Sequence, residues 1–180
     1  MSDPAFFGYG SLVNLSTHDY ANPRPAILQG WRRVWQRTNL RDAAFLSVIR
    51  DEITALKGVV AQVPNADWDA LDTREAAYAR HDVSANILDT GSRGPTAVYQ
   101  VSDMHLVQEQ DHPILLSYLD VVVQGYLRMF GIEGVAHFFD TTDGWGANIL
   151  DDRSAPIYSR HQVLSAEERR IVDRHLSTVM

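Results

Sequence analysis

The sequence contains no cysteine, which excludes disulfides, thiolate nucleophiles and thiolate metal ligands together. Lysine is almost as scarce: Lys57 is the only one, so every other basic side chain is an arginine. Cations are also outnumbered, with 16 Lys and Arg against 23 Asp and Glu and a formal net charge of −7. That balance argues against a nucleic-acid or anionic-membrane partner, because both need clustered positive charge. No apolar run approaches the roughly 20 residues of a membrane span. The opening MSDPAFF has neither the basic nor the long apolar segment of a secretory signal, so the cytoplasm is the expected setting. Seven histidines are present, but none stands at H-x₃-H or H-E-x-x-H spacing. No metal and no cofactor are expected. Internal repeats, low-complexity tracts and linkers are absent as well.

What remains is an ordinary globular composition, 45% hydrophobic and 22% charged over 180 residues. A chain of this length can bury roughly 70% of its unfolded surface in one core. A single domain over residues 1–180 is expected, with 140–180 as a C-terminal extension packed on it. The run of arginines has two readings: lineage bias, or side chains selected to hold carboxylates in bidentate pairs.

The first half reads as strands: AFFGY (5–9), PAILQGWRRVWQRT (25–38), AAFLSVIRD (43–51) and ALKGVVAQV (55–63). Connections this short predict antiparallel pairing. NADWDALDTREAAYA (65–79) changes period, with Trp68, Leu71, Glu75 and Tyr78 at helical spacing and Asn65 or Asp67 as N-cap. HDVSANILD (81–89) and PTAVYQV (95–101) return to strand character around the turn TGSRG. A long helix is predicted from His112 to Phe130, with Pro113 in its first turn and Leu115, Leu119, Val122, Tyr126 and Met129 on one face. Residues 140–160 read as an ordered loop with short strands. A last helix follows, opened by a Ser165/Glu168 capping box. Strands followed by helices, without strict alternation, predict an α+β fold on a curved sheet or small, mainly antiparallel β-barrel flanked by helices.

The segment FGYGSLVN (7–14) raises the question of function. As a dinucleotide loop it lacks the third glycine, replaced by Val13, and the ribose-binding acid after the next strand. As a nucleophile elbow it fails on spacing around Ser11, and no phosphate-loop motif occurs anywhere. A tight turn using glycine conformational freedom is the plain structural reading.

A further reading comes from likeness. Phe7, Tyr9, Gly10, Ser11 and Leu12 form an F-x-Y-G-S-L segment that resembles the signature loop of the γ-glutamylcyclotransferase-like family, which includes ChaC-type and γ-glutamylamine cyclotransferase branches. GWRR (30–33) is similar to a Gly-aromatic-basic segment in that family's next strand. LDTREAAY (71–78) resembles its L-D-x-x-E-x-x-Y segment, and Tyr118 is followed by Gly125 at the family's interval. The order Pro113, Ser117, Tyr118 departs from the Pro-Ser-x-x-Tyr arrangement common there.

The resemblance implies a small β-barrel flanked by helices, binding of a small γ-glutamyl substrate by the loop Tyr9, Gly10, Ser11 and Leu12, proton transfer by Glu75, and substrate contact by Tyr118. It implies release of 5-oxoproline and a free amine, as in glutathione metabolism, without metal or cofactor. That chemistry suits these residue types. The substrate's own α-amine attacks its γ-carbonyl, so positioning supplies much of the rate and one carboxylate can carry the proton. Glu75 has a plainer reading as a solvated helix acid paired with Arg74 or Arg80. A non-catalytic ligand-binding module of the same fold is the alternative function, with a nucleotide-binding oxidoreductase a third. Asp151, Asp152 and Arg153 read as a structural turn, or as part of a lid, a wall facing the leaving amine, or a homodimer contact.

Overall fold

The computed structural model describes residues 3–88, 91, 94–108 and 111–180. Its central strand is β1 (Ala5–Gly8), the fully buried run AFFG, with β3 (Ala44–Gln62) antiparallel on one side and β6 (Thr96–Val101) parallel on the other. β2 (Ala21–Arg37) and β3 form one long hairpin. With β4 (Tyr78–Asp82), β5 (Ile87–Leu88) and β8 (Thr142–Asp143) they make a seven-stranded sheet of order β4-β6-β1-β3-β2-β5, β8 adding to β2. The sheet curls into a half-barrel, mainly antiparallel, as the sequence pattern predicts. Among the described residues it remains open, because the order ends on β4 and β5 without a closing pair.

Alternation along β1 sends side chains to both faces. Phe7 joins Leu28, Leu56 and Val98 against the helix α2 (Leu116–Asp140), whose Leu119, Val122, Val123 and Tyr126 complete the main core. Phe6 points the other way, to Leu12, Ala61, Val63, Tyr99 and Leu71 of the short helix α1 (Asp69–Arg74). Burying each such side chain contributes about 1.5–3 kcal/mol. α3 (Ala166–Leu176) buries Val172 and Leu176, and opens with the expected Ser165/Glu168 capping box.

Several sequence expectations are corrected. The strands predicted at 43–51 and 55–63 are one strand. The polar residues between them form a bulge, where Gln29 pairs Ala55 and Trp31 already pairs Arg50. The helix predicted over 65–79 is confined to Asp69–Arg74, and Trp68 rather than Asn65 or Asp67 occupies the N-cap. It stops because Tyr78 enters the ladder with β6, facing Val101. Of HDVSANILD, 81–82 and 87–88 are strand and Ser84–Asn86 is a 3₁₀ turn. Asp89 and most of the TGSRG turn lie outside the described residues. Pro113 precedes the long helix instead of opening it, since β7 (Ile114–Leu115) pairs with β9 (Ile149–Leu150). That helix continues past Phe130 to Asp140 across a break at Gly131, where φ is 68°.

Candidate active site

A cavity of about 830 Å³ opens between the β2–β3 turn, the end of α1, the start of α2 and the segment 157–160. A second, of about 30 Å³, lies under the glycine segment, and Ser11, Leu46, Glu75, Tyr78 and Tyr118 border both. The two are therefore neighbours, the smaller lying at the inner end of the larger. Tyr9, Gly10, Ser11, Leu12, Glu75 and Tyr118, far apart in the chain, all meet at that inner end.

The glycine segment leaves β1 as a 3₁₀ turn (Ser11–Val13). Val13 N–H donates to the Gly10 carbonyl and Asn14 N–H to the Ser11 carbonyl, while the Ser11 backbone and side chain hydrogen-bond the Tyr118 hydroxyl. A Cβ on Gly10 would lie 2.8 Å from the Tyr118 hydroxyl and 3.1 Å from Leu46. Glycine is required here by close approach. Leu12 contributes backbone alone, since its side chain belongs to the core beside Phe6. Tyr9 and Tyr78 are walls: their hydroxyls are committed to the carbonyls of Tyr99 (2.6 Å) and Leu46 (2.9 Å).

Buried groups hold the segment in place. Arg33 is fully buried, donating from Nε to the Tyr9 carbonyl (2.9 Å) and from its terminal nitrogens to the Lys57 carbonyl (2.7 Å), Thr141 Oγ1 (2.6 Å) and the Tyr126 hydroxyl. On the other flank, Asn14 donates to the Val121 carbonyl and Gln124 Oε1, both at 2.9 Å. Gly125 permits this contact, because a Cβ there would stand 2.7 Å from Asn14 N.

Glu75 is the residue that ends α1, and its side chain is only 15% exposed. Burial pushes its pKa above the usual carboxylate value, while the charges of Arg74 and Arg160 pull against that rise. Arg74 Nε is 3.3 Å from the carboxylate, and the same guanidinium donates to the Thr17 carbonyl (2.9 Å) and hydroxyl (3.2 Å), with Ser11 Oγ at 3.5 Å. One arginine therefore fixes the carboxylate relative to the glycine segment. The arrangement brings a carboxylate of raised proton affinity and the backbone of a glycine segment to the border of one small space. It can exchange a proton with a nitrogen while stabilising charge on a nearby oxygen.

Burial, then the neighbouring Tyr158 and Glu75, drive the Tyr118 phenol well above its ordinary pKa, so it stays protonated. The ring of Tyr158 packs edge-on against Tyr118, centroids 5.0 Å apart. Tyr158 is held by a strap that sequence reasoning left open. Asp152 accepts from Ser117 N–H (2.7 Å), Ser117 Oγ (2.5 Å) and Ile157 N–H (2.8 Å). Arg153 grips Asp120 of α2 through two bonds (2.8 and 2.7 Å) and reaches Asp173 of α3 at 2.9 Å. A second bidentate pair, Arg32 with Asp143 (2.7 Å twice), meets the other expectation about arginines. The strap sets Ile157, Tyr158, Ser159 and Arg160 along the cavity wall.

The family model for ChaC-like proteins matches residues 5–117, more than half of the chain. The chain belongs to the ChaC-like protein family. The match includes the glycine segment and Glu75 and ends one residue before Tyr118. Among solved structures, the fold is similar to one named gamma-glutamyl cyclotransferase, at 13% identity and a TM-score of 0.59, covering 94% of this chain and 98% of that one. It is also similar to YkqA from Bacillus subtilis, at 17% identity and a TM-score of 0.61, over 80% of this chain and 57% of that one. An uncharacterized protein from Homo sapiens matches at 14% identity and a TM-score of 0.58, over 94% and 97% of the two chains. No curated protein sequence matches significantly. The likeness to solved structures agrees with the α+β, γ-glutamylcyclotransferase-like fold expected from the sequence. That fold leaves no basis for the dinucleotide reading, since β1 runs into a 3₁₀ turn and an antiparallel hairpin instead of a βαβ unit.

Proposed function

We propose that this ChaC-like protein cyclises a small γ-glutamyl compound, releasing 5-oxoproline and the amine that held the γ-carbonyl. The observation that carries this reading is that Glu75 and the segment Tyr9, Gly10, Ser11 and Leu12, far apart in the chain, border one small cavity. Glu75 takes a proton from the substrate's α-amine as that nitrogen attacks the γ-carbon. The tetrahedral oxygen receives the loop N–H groups, the bond to the leaving nitrogen breaks, and Glu75 returns the proton to that nitrogen. Nothing is oxidised and no atom is left over. Because both reacting groups belong to one molecule, a wall that holds it folded can supply an effective concentration of about 10⁵ M or more. The raised pKa of Glu75 brings the base closer to working pH, where a single carboxylate can accept and return the proton.

The reading is tested by incubating the protein with a panel of γ-glutamyl compounds and following 5-oxoproline by mass spectrometry. Product formation is expected. Ligand binding by the folded protein without product from any member would favour the non-catalytic module instead. The loop's part in the reaction is tested by Gly10→Ala. The added methyl meets the Tyr118 hydroxyl, with an expected cost of about 1–3 kcal/mol in stability. Turnover is expected to fall at least about tenfold through lost alignment. Unchanged kinetics in this variant would remove the loop from the mechanism.

A further inference from the structure

Three arginines line the cavity, and one of them has a carboxylate partner within the protein. Arg74 is bound to Glu75 and the Thr17 turn, and Arg41 lies over the Phe45 ring at 5.8 Å. Arg41 has no hydrogen-bond or carboxylate partner among the described residues, and between Arg41 and Arg160 it is Arg160 whose charge acts on Glu75. The Arg160 guanidinium likewise has no such partner among the described residues, although it sits on the wall that also carries Tyr158. Its place in the chain is not loose. Asp152 and Arg153 tie the strap to the start of α2 and to α3, and the Tyr158 ring lies against Tyr118. Arg160 is also near enough for its charge to act on both Glu75 and Tyr20.

The substrate chemistry supplies a partner for this cation. In a γ-glutamyl compound the α-amine and the α-carboxylate share one carbon. An amine placed to give its proton to Glu75 therefore carries its carboxylate into the same part of the cavity, beside a second negative charge. That approach is unfavourable unless a cation meets it. Arg74 is already committed to Glu75, whereas a guanidinium with a free donor edge matches a carboxylate in two parallel bonds. Resting on the reading above, we propose that Arg160 receives the α-carboxylate of the γ-glutamyl group and selects substrates that carry one. Arg160 lies beyond the stretch matched by the ChaC-like model, so this contact is supplied by the C-terminal strap.

The test compares γ-L-glutamyl-methylamide with 4-aminobutanoyl-methylamide, which lacks only the carboxylate. Binding is measured by calorimetry in the Glu75→Gln background, where turnover is slowed by about 10²-fold or more. The carboxylate-bearing ligand is expected to bind about 10- to 100-fold more tightly, the range of a hydrogen bond to a charged group. Adding Arg160→Ala is expected to erase that preference by weakening this ligand alone, and Arg160→Lys to keep part of it. Equal weakening of both ligands, or none, would overturn the contact. Wild-type turnover of the same glutamyl amide reports on the reaction separately. An Arg160-dependent preference without turnover would reject the cyclisation and keep the contact. Turnover with a preference unmoved by Arg160→Ala would reject the contact and keep the reaction, and failure of both ligands to bind would reject both.

Discussion

Replacing Glu75 by glutamine is expected to lower turnover by about 10²- to 10⁴-fold, the usual worth of a positioned proton carrier, while leaving thermal stability at neutral pH undiminished. The amide keeps the shape of the side chain and an oxygen for Arg74, 3.3 Å away in the wild type. What it removes is a charge that burial disfavours. The folded protein holds a proton on Glu75 at pH values where the unfolded chain has released it, so stability falls as pH rises from the ordinary Glu range through the raised folded-state pKa. The glutamine variant lacks this loss, and its melting temperature relative to wild type should climb across that window. In the wild type, kcat/KM should rise with pH over the same window as the base form appears. Thermal melts and pH-rate profiles of the two proteins check both statements. A variant that keeps wild-type turnover would remove Glu75 from the chemistry, and one that melts far below wild type would show that the carboxylate is structural.

Arg33→Ala is expected to cost about 4 kcal/mol, combining a vacated buried volume with stranded acceptors. At this chain length that is a fall of roughly 8–16 °C in Tm. The side chain is fully buried and meets no carboxylate among the described residues. It lies over the rings of Tyr126 and Phe138, 5.0 and 5.2 Å from their centroids, and bonds two backbone carbonyls and two hydroxyls. Burial pushes its pKa down, yet Tyr126 opposes that shift and the group remains a cation. Because the Nε donor holds the Tyr9 carbonyl, the variant should also lose activity well below its melting temperature. Lysine cannot restore the fork, so Arg33→Lys should recover little. A loss of less than about 1 kcal/mol in Arg33→Ala would mean that the loop is anchored elsewhere.

The residues of the inner cavity were legible chiefly through the likeness of their segments to a known family, with some support from local chemistry. Gly8 and Gly10 interrupt an apolar run where a backbone must come close, and Glu75 stands in apolar company. Tyr118 was marked only by that likeness, and its helix runs past the predicted end at Phe130 to Asp140. The capping box of α3 was readable locally, since both its partners lie within one turn. Tertiary pairing overrode the rest. Tyr78 fits a helical period, but the β6 ladder draws it into a strand and leaves Glu75 at the helix end. The polar run between Asp51 and Thr54 reads as a turn, yet the hairpin absorbs it as a bulge because both flanks pair with β2. Arg74 was visible only as a neighbour of Glu75, since its grip on Thr17 spans 57 positions. Asp152 was visible as part of a turn, and nothing local shows that it receives Ser117 from 35 positions away. Tyr158 and Arg160 reach the cavity only through that strap.

The most direct measurement is to run the reaction on a γ-glutamyl amide in water enriched in ¹⁸O and weigh the products. Attack by the substrate's own amine should yield one 5-oxoproline for each amine released, with no label from solvent, and the signal should fall at least about 100-fold in Glu75→Gln. Glutamate carrying one ¹⁸O atom would mean that water attacks the γ-carbonyl, and that this cavity catalyses hydrolysis rather than ring closure.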